Sequence, residues 1–167
     1  MQVEQRLLKY VSYWTTSDEN NMTDGKVQIP STGRQFDLGK VLEQELRDLG
    51  LKNVVLTDHC YVYGLLPATA GCEGRKAVGF ISHMDTAPDY SGKDVKPQII
   101  PDYDGGDIRL NGTGAMLKIS DFPTLKDLKG RTLITTDGTT LLGADDKPVC
   151  RNHHGIRRDH FFRNASR

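Results

Sequence analysis

An α/β domain, a mixed sheet flanked by helices, is the architecture that the sequence predicts, and three observations predict it. Two amphipathic helical patterns come first, short β-type runs follow, and one of those runs is apolar almost throughout. At 167 residues the chain is long enough for one domain with a sizeable core and short for two.

Val3, Leu7, Tyr10, Val11 and Trp14 recur at helical spacing and predict an amphipathic first helix. Residues 15–30 are polar, contain Gly25, and read as a loop. Ser31 is placed to cap a second helix whose apolar face is Phe36, Leu38, Val41, Leu42, Leu46 and Leu49. Gly50 stands where a left-handed residue ends such a helix. Three β-type runs follow at 53–57, 61–66 and 76–82, with turns at Asp58-His59 and at residues 71–74. Ala77-Val78-Gly79-Phe80-Ile81 in the third run suits a central strand buried on both faces. Residues 87–130, rich in Pro, Gly and Asp, predict a long excursion with short strands. Runs at 132–136 and 139–142 flank Asp137-Gly138, a tight-turn signal.

Bulk composition excludes several function classes. Lys plus Arg and Asp plus Glu each total 22, so charge favours neither a nucleic acid nor an acidic partner. No apolar run approaches the roughly 18 residues of a membrane span. The opening MQVEQRLLKYVSYW lacks the apolar stretch of a signal peptide, which leaves a cytoplasmic address as the expectation. Cys60, Cys72 and Cys150 form neither a CxxC pair nor a disulfide framework, and read as buried or idle thiols in a reducing compartment. The sequons at Asn21, Asn111 and Asn164 read as chance matches.

Three side chains carry chemical interest: His83 and Asp85 in SHMDT, and Asp145 in GADDK. On an extended segment residues i and i+2 share a face, so Asp85 is placed to accept the ring N–H of His83 and aim the other nitrogen at a metal. The alternative is a surface histidine beside a turn aspartate. In GADDK, adjacent aspartates repel if buried without a cation, and a carboxylate there suits a bridge between divalent ions about 3.5–4 Å apart. The alternative there is a turn capped by aspartates.

Taken together, ISHMDTAPDYSGKDVKPQI, GGDI and LITTDGTTLLGADDK resemble the peptidase T family of bacterial tripeptide aminopeptidases, in order, from the first helix through Lys147. The resemblance implies that the chain is an incomplete N-terminal part of a two-zinc exopeptidase catalytic domain. It implies that His83 ligates zinc, that Asp145 bridges both zinc ions, and that Asp85 is the supporting carboxylate that orients His83. It further implies a cis Asp145–Asp146 peptide bond, with Asp146 a neighbour and not a ligand. The implied substrate is a short peptide, a tripeptide, attacked by a zinc-bridging water while a glutamate takes the proton. The family's adjacent glutamates, a further aspartate ligand, a distal histidine and a lid domain have no counterpart after Lys147. Two ligands of five leave the expectation that this chain is inactive. The other readings are a non-catalytic truncated module and a related dipeptidase or deacylase.

From Pro148 the character changes: PVCRNHHGIRRDHFFRNASR holds five Arg and three of the five histidines, with no period of its own. The expectation is a boundary at 147, with 148–167 an aberrant tail translated out of frame. One choice of codons for residues 152–160, read one base later, gives Ile-Ile-Thr-Ala-Phe-Ala-Glu-Ile, an amphipathic helical pattern. Such a tail is expected to pack poorly.

Overall fold

A computed structural model describes residues 3–147. Cys150, Asn164 and the reading of 148–167 as an out-of-frame tail lie outside the described residues.

The first helix, α1, spans Val3–Val11, with Glu4 in its first turn and Lys9 in its last, each sign matching the helix dipole. Trp14, expected on the face of this helix, lies past its end. It is partly exposed there, and the Arg34 guanidinium stacks 3.8 Å from its ring centroid. The polar stretch after α1 is more ordered than its composition suggests. Thr15 and Thr16 are buried, and Met22–Thr23 (β1) pairs with Lys26–Val27 (β2) around Asp24-Gly25, both at positive φ.

The second helix, α2, spans Gln35–Asp48 and buries Leu38, Leu42 and Leu46. Its start corrects the expectation for Ser31, since Arg34 occupies the N-cap and no side chain caps it. The Ser31 hydroxyl instead accepts the Asp18 N–H at 3.1 Å. The C-terminus is as expected. Gly50 sits at φ 82°, its N–H donates to Arg47 O at 2.9 Å, and the Leu51 N–H donates to Leu46 O at 3.1 Å. That pair of bonds is a Schellman motif, which satisfies carbonyls the helix leaves open.

Lys52–Leu56 (β3) and Val62–Leu65 (β4) form an antiparallel pair with an irregularity between Lys52 and Val55, where Asn53 adopts φ 52°. The hairpin packs on α2 at small residues. A Cβ on Gly39 would stand 3.1 Å from both Cys60 Sγ and a Leu56 methyl. Burial pushes the Cys60 thiol up to about 11, so it stays protonated and is a packing group. Cys60 and Cys72 are both free thiols.

Beyond residue 87 the long excursion contains the expected short strands. Pro97–Ile100 (β5) pairs antiparallel with Leu133–Thr136 (β8), and Ile108–Arg109 (β6) with Met116–Leu117 (β7). A 3-10 helix spans Pro123–Leu128. Two expectations fail here. Residues 139–142 form no strand, so β8 closes on β5 across the excursion and not on a hairpin partner at Asp137-Gly138. Residues 76–82 form no strand either, and Val78 and Ile81 are 73% and 94% exposed. A central strand needs a ladder on both sides, and among the described residues none flanks this run. The fold therefore combines helices with four two-stranded antiparallel sheets, compatible with the α/β class, and among the described residues these do not merge into one mixed sheet. No helix of the described residues is long and apolar enough to cross a membrane.

The core gathers Tyr10 of α1 with Leu38 and Leu42 of α2, and Tyr13, Val41, Val62 and Met84 pack against them. At its edge the Glu45 carboxylate accepts from Tyr10 Oη at 2.5 Å and Lys9 Nζ at 2.6 Å, tying the two helices together.

Asp137 organises the turn after β8. Its Oδ1 accepts the Thr139 N–H at 2.9 Å and the Thr139 hydroxyl at 2.6 Å, and these bonds hold its carboxyl below the usual carboxylate range. With the folded value depressed, the stabilisation is present above the unfolded value of about 4 and is lost as pH falls through the folded value. The difference in thermal midpoint between the protein and Asp137→Asn should therefore be constant near neutrality and shrink below about pH 4. Melts at stepped pH check this, and a difference that grows on acidification refutes it.

Candidate metal centre

Met84 fixes the orientation of its neighbours. It packs against the Tyr10, Leu38 and Leu42 cluster, and alternation along an extended chain puts His83 and Asp85 on the opposite side. The segment is held by backbone bonds to the stretch after α1. Thr16 and Thr86 form a parallel bridge, the Ser17 N–H donates to Thr86 O at 3.0 Å, and the Thr86 N–H donates to Thr15 O at 3.3 Å. The threonine hydroxyls meet at 3.1 Å. A Cβ on Gly92 would lie 2.7 Å from Thr16 Oγ1 and 2.9 Å from Thr86 Oγ1, so only glycine fits against that pair without displacing it.

The structure brings the three sequence-predicted side chains together. His83 Nδ1 lies 3.0 Å from the Asp85 carbonyl oxygen and 3.2 Å from Asp85 Oδ1. Both oxygens accept, so Nδ1 carries the proton and the lone pair of the neutral ring sits on Nε2. Nε2 points at Asp145 Oδ1, 3.1 Å away. Burial alone lowers the His83 pKa, but the hydrogen bond to Asp145 and the charge and hydrogen bonds of Asp85 outweigh it, and the net shift is upward. A second proton on this ring therefore occupies the Nε2–Asp145 gap, and would compete with any metal for the same lone pair.

Asp145 reaches the histidine across 62 positions of sequence and is 98% exposed at its side chain. The Asp145–Asp146 peptide bond is cis, as the family resemblance implies. Lys147, at the end of GADDK, is 2% exposed, and its Nζ donates to Tyr13 O at 3.1 Å. That contact anchors the aspartate pair to the segment after α1.

An imidazole nitrogen and a carboxylate oxygen suit zinc chemically. Two ligands each about 2.05 Å from a tetrahedral ion stand about 3.3 Å apart, close to the separation found here. Among the described residues, no group of three or more His, Cys, Asp or Glu side chains is arranged to hold a metal ion. The described site therefore offers two donors and one orienting carboxylate.

Two residues at this site carry no signal in the sequence. Ser17 donates to Asp85 Oδ2 at 2.6 Å from a stretch that reads only as polar loop. Lys147 marks only the end of the family resemblance in the sequence, and in the structure it is buried and bonded to a backbone carbonyl 134 positions away.

No model of a protein family matches the chain. Individual proteins do match it. Peptidase T of Alkaliphilus oremlandii is 52% identical over 145 residues, covering 86% of this chain and 34% of that protein. Peptidase T of Caldanaerobacter subterraneus subsp. tengcongensis is 54% identical over 146 residues, with 87% and 34% covered. Peptidase T of Clostridium acetobutylicum is 51% identical over 147 residues, with 87% and 35% covered. The chain spans about a third of the length of these curated relatives. With about half the residues identical across 86–87% of its length, the chain is a homologue of peptidase T.

Proposed function

We propose that this chain carries part of the zinc site of an aminopeptidase that releases the N-terminal residue of tripeptides in the cytoplasm. In this reading it corresponds to an N-terminal part of an α/β catalytic domain whose complete site holds two zinc ions. His83 Nε2 and Asp145 Oδ1 would be ligands, with Asp145 the bridge, and Asp85 would hold His83 in the required tautomer. The observation that carries the proposal is the Nδ1 contact with two acceptors on Asp85 while Nε2 faces Asp145 at 3.1 Å. The chemistry supplied when zinc is bound is a water acidic enough to attack and a polarised peptide carbonyl.

The described residues supply too few ligands to close a two-metal site, so the chain alone is proposed to be inactive. Zinc titration followed by calorimetry tests the site. The chain should bind zinc weakly, and His83→Ala should lower the affinity at least about tenfold, as loss of one of two ligands requires. Equal zinc binding by His83→Ala and the unaltered chain would remove the metal reading. Incubation with a tripeptide and zinc should show no cleavage, and turnover abolished by His83→Ala would overturn the inactivity.

A further inference from the structure

We infer that Ser17 is a positioning residue for the His83–Asp85 pair, and that its hydroxyl sets the zinc affinity of His83 through Asp85. The inference rests on the zinc reading of His83 and Asp145 and extends it to a residue from a different part of the chain.

Asp85 uses its two carboxylate oxygens on two different partners. Oδ1 faces His83 Nδ1 at 3.2 Å, and Oδ2 accepts the Ser17 hydroxyl at 2.6 Å. A carboxylate turns easily about its terminal torsion, so one contact leaves its plane loosely set and two contacts fix it. The shorter contact is the one to serine. A hydroxyl donating to a charged carboxylate is also the stronger type of hydrogen bond.

The direction of the serine proton is settled by its other neighbour. Gln35 Nε2 lies 3.5 Å from Ser17 Oγ and, as an amide nitrogen, can only donate. The Asp85 carboxylate can only accept, so the Ser17 proton is directed at Oδ2. The same Gln35 nitrogen stands 3.3 Å from both Ser31 Oγ and Thr32 Oγ1, which holds the amide at the start of α2. One relay then runs from α2 through Ser17 and Asp85 to the histidine ring.

Backbone geometry keeps the hydroxyl in place. The Ser17 N–H is bonded to Thr86 O, one residue beyond Asp85, and the Thr86 N–H returns to Thr15 O. Ser17 and Asp85 are thus registered by a short parallel ladder, and packing of Gly92 against Thr16 and Thr86 closes its other side. Outer partners of metal-ligating histidines tune affinity about 10- to 100-fold, and Ser17 lies one bond further out.

Calorimetric titration of the full chain with zinc chloride tests this, using Ser17→Thr, Ser17→Val, Ser17→Ala and His83→Ala. Threonine and valine have the same shape, so their comparison isolates the hydroxyl from packing. Ser17→Thr should bind within about twofold of the unaltered chain, and Ser17→Val and Ser17→Ala about five- to tenfold more weakly. If Ser17→Val binds as Ser17→Thr does while His83→Ala is weakened, the positioning role is overturned and the zinc site stands. If His83→Ala binds as the unaltered chain does, the zinc site itself falls. Should Ser17→Val and Ser17→Ala lose their fold while Ser17→Thr keeps it, the hydroxyl serves the fold and not the pair, and the inference is overturned as well.

Discussion

Leu38→Ala is expected to destabilise the protein by about 4 kcal/mol, at the upper part of the range for a truncated core leucine. Leu38 is fully buried at the centre of the cluster where α1 and α2 meet, between Tyr10 and Leu42. Its neighbours are held by other bonds and can collapse only partly. Tyr10 is tied to Glu45, and the C-terminus of α2 is fixed by its Schellman motif. The void therefore stays largely open, and the cavity term adds to the lost transfer energy. At about 2–4 °C per kcal/mol for a chain of this size, the midpoint should fall by roughly 10 °C or more. Thermal melts followed by circular dichroism measure it, and a fall under about 3 °C would contradict the packing described. Met84 leans on the same cluster, so, on the zinc site proposed above, a variant that still folds should also bind zinc less well, because Met84 sets the side on which His83 and Asp85 emerge.

Gly138→Ala should cost about 3 kcal/mol for a different reason. Gly138 adopts φ 94°, which an L-residue reaches only at a cost of roughly 1–2 kcal/mol. A methyl group there would also overlap Thr113 Oγ1 and approach Leu110 Cβ to 3.1 Å. Overpacking of that kind adds about 1–3 kcal/mol. Relief is blocked because the Asp137 carbonyl accepts both the Gly112 N–H at 2.8 Å and the Thr113 N–H at 3.3 Å, clamping the β6–β7 hairpin to the turn. Denaturant unfolding should show a lower midpoint with an unchanged slope. Gly130→Ala is the control: Gly130 also has positive φ, at 78°, but a Cβ there meets nothing within 4 Å. Its loss should be confined to backbone strain, so equal losses for the two variants would dismiss the steric argument.

What could be read from the sequence was what local chemistry decides. The apolar stripe of α2 and Gly50 after it need only neighbours within one or two turns, and both stand where expected. His-x-Asp on an extended segment needs only the alternation of the chain, and His83 and Asp85 do meet. Elements that depend on remote partners were not legible. Residues 76–82 have the composition of a buried strand, yet strand formation requires a neighbour that the run itself cannot specify. The run at 132–136 does form a strand, Leu133–Thr136, but its partner is Pro97–Ile100 and not the adjacent run. A tight-turn dipeptide marks a bend without choosing which strands it joins. Ser17 and Lys147 escaped notice because a polar loop and a charged surface look alike in sequence whether or not they hold a site.

The short stretch from Tyr13 to Ser17 touches both halves of the candidate site, and this bears on the order in which the protein assembles. Its carbonyl at Tyr13 receives Lys147 and its backbone at Thr15 and Ser17 receives Thr86, across 134 and about 70 positions of chain. Helices form in microseconds or less and local hairpins in a few microseconds, whereas contacts this distant must first close long loops. On a ribosome, at roughly 5–20 residues per second, α2 and the β3–β4 hairpin are complete seconds before residue 145 has been added. Tyr13–Ser17 is therefore synthesised before both of its distant partners, and the loop that must close to reach Lys147, 134 positions, is about twice that to Thr86. The contact between His83 and Asp145 therefore requires nearly the whole described chain to have been made.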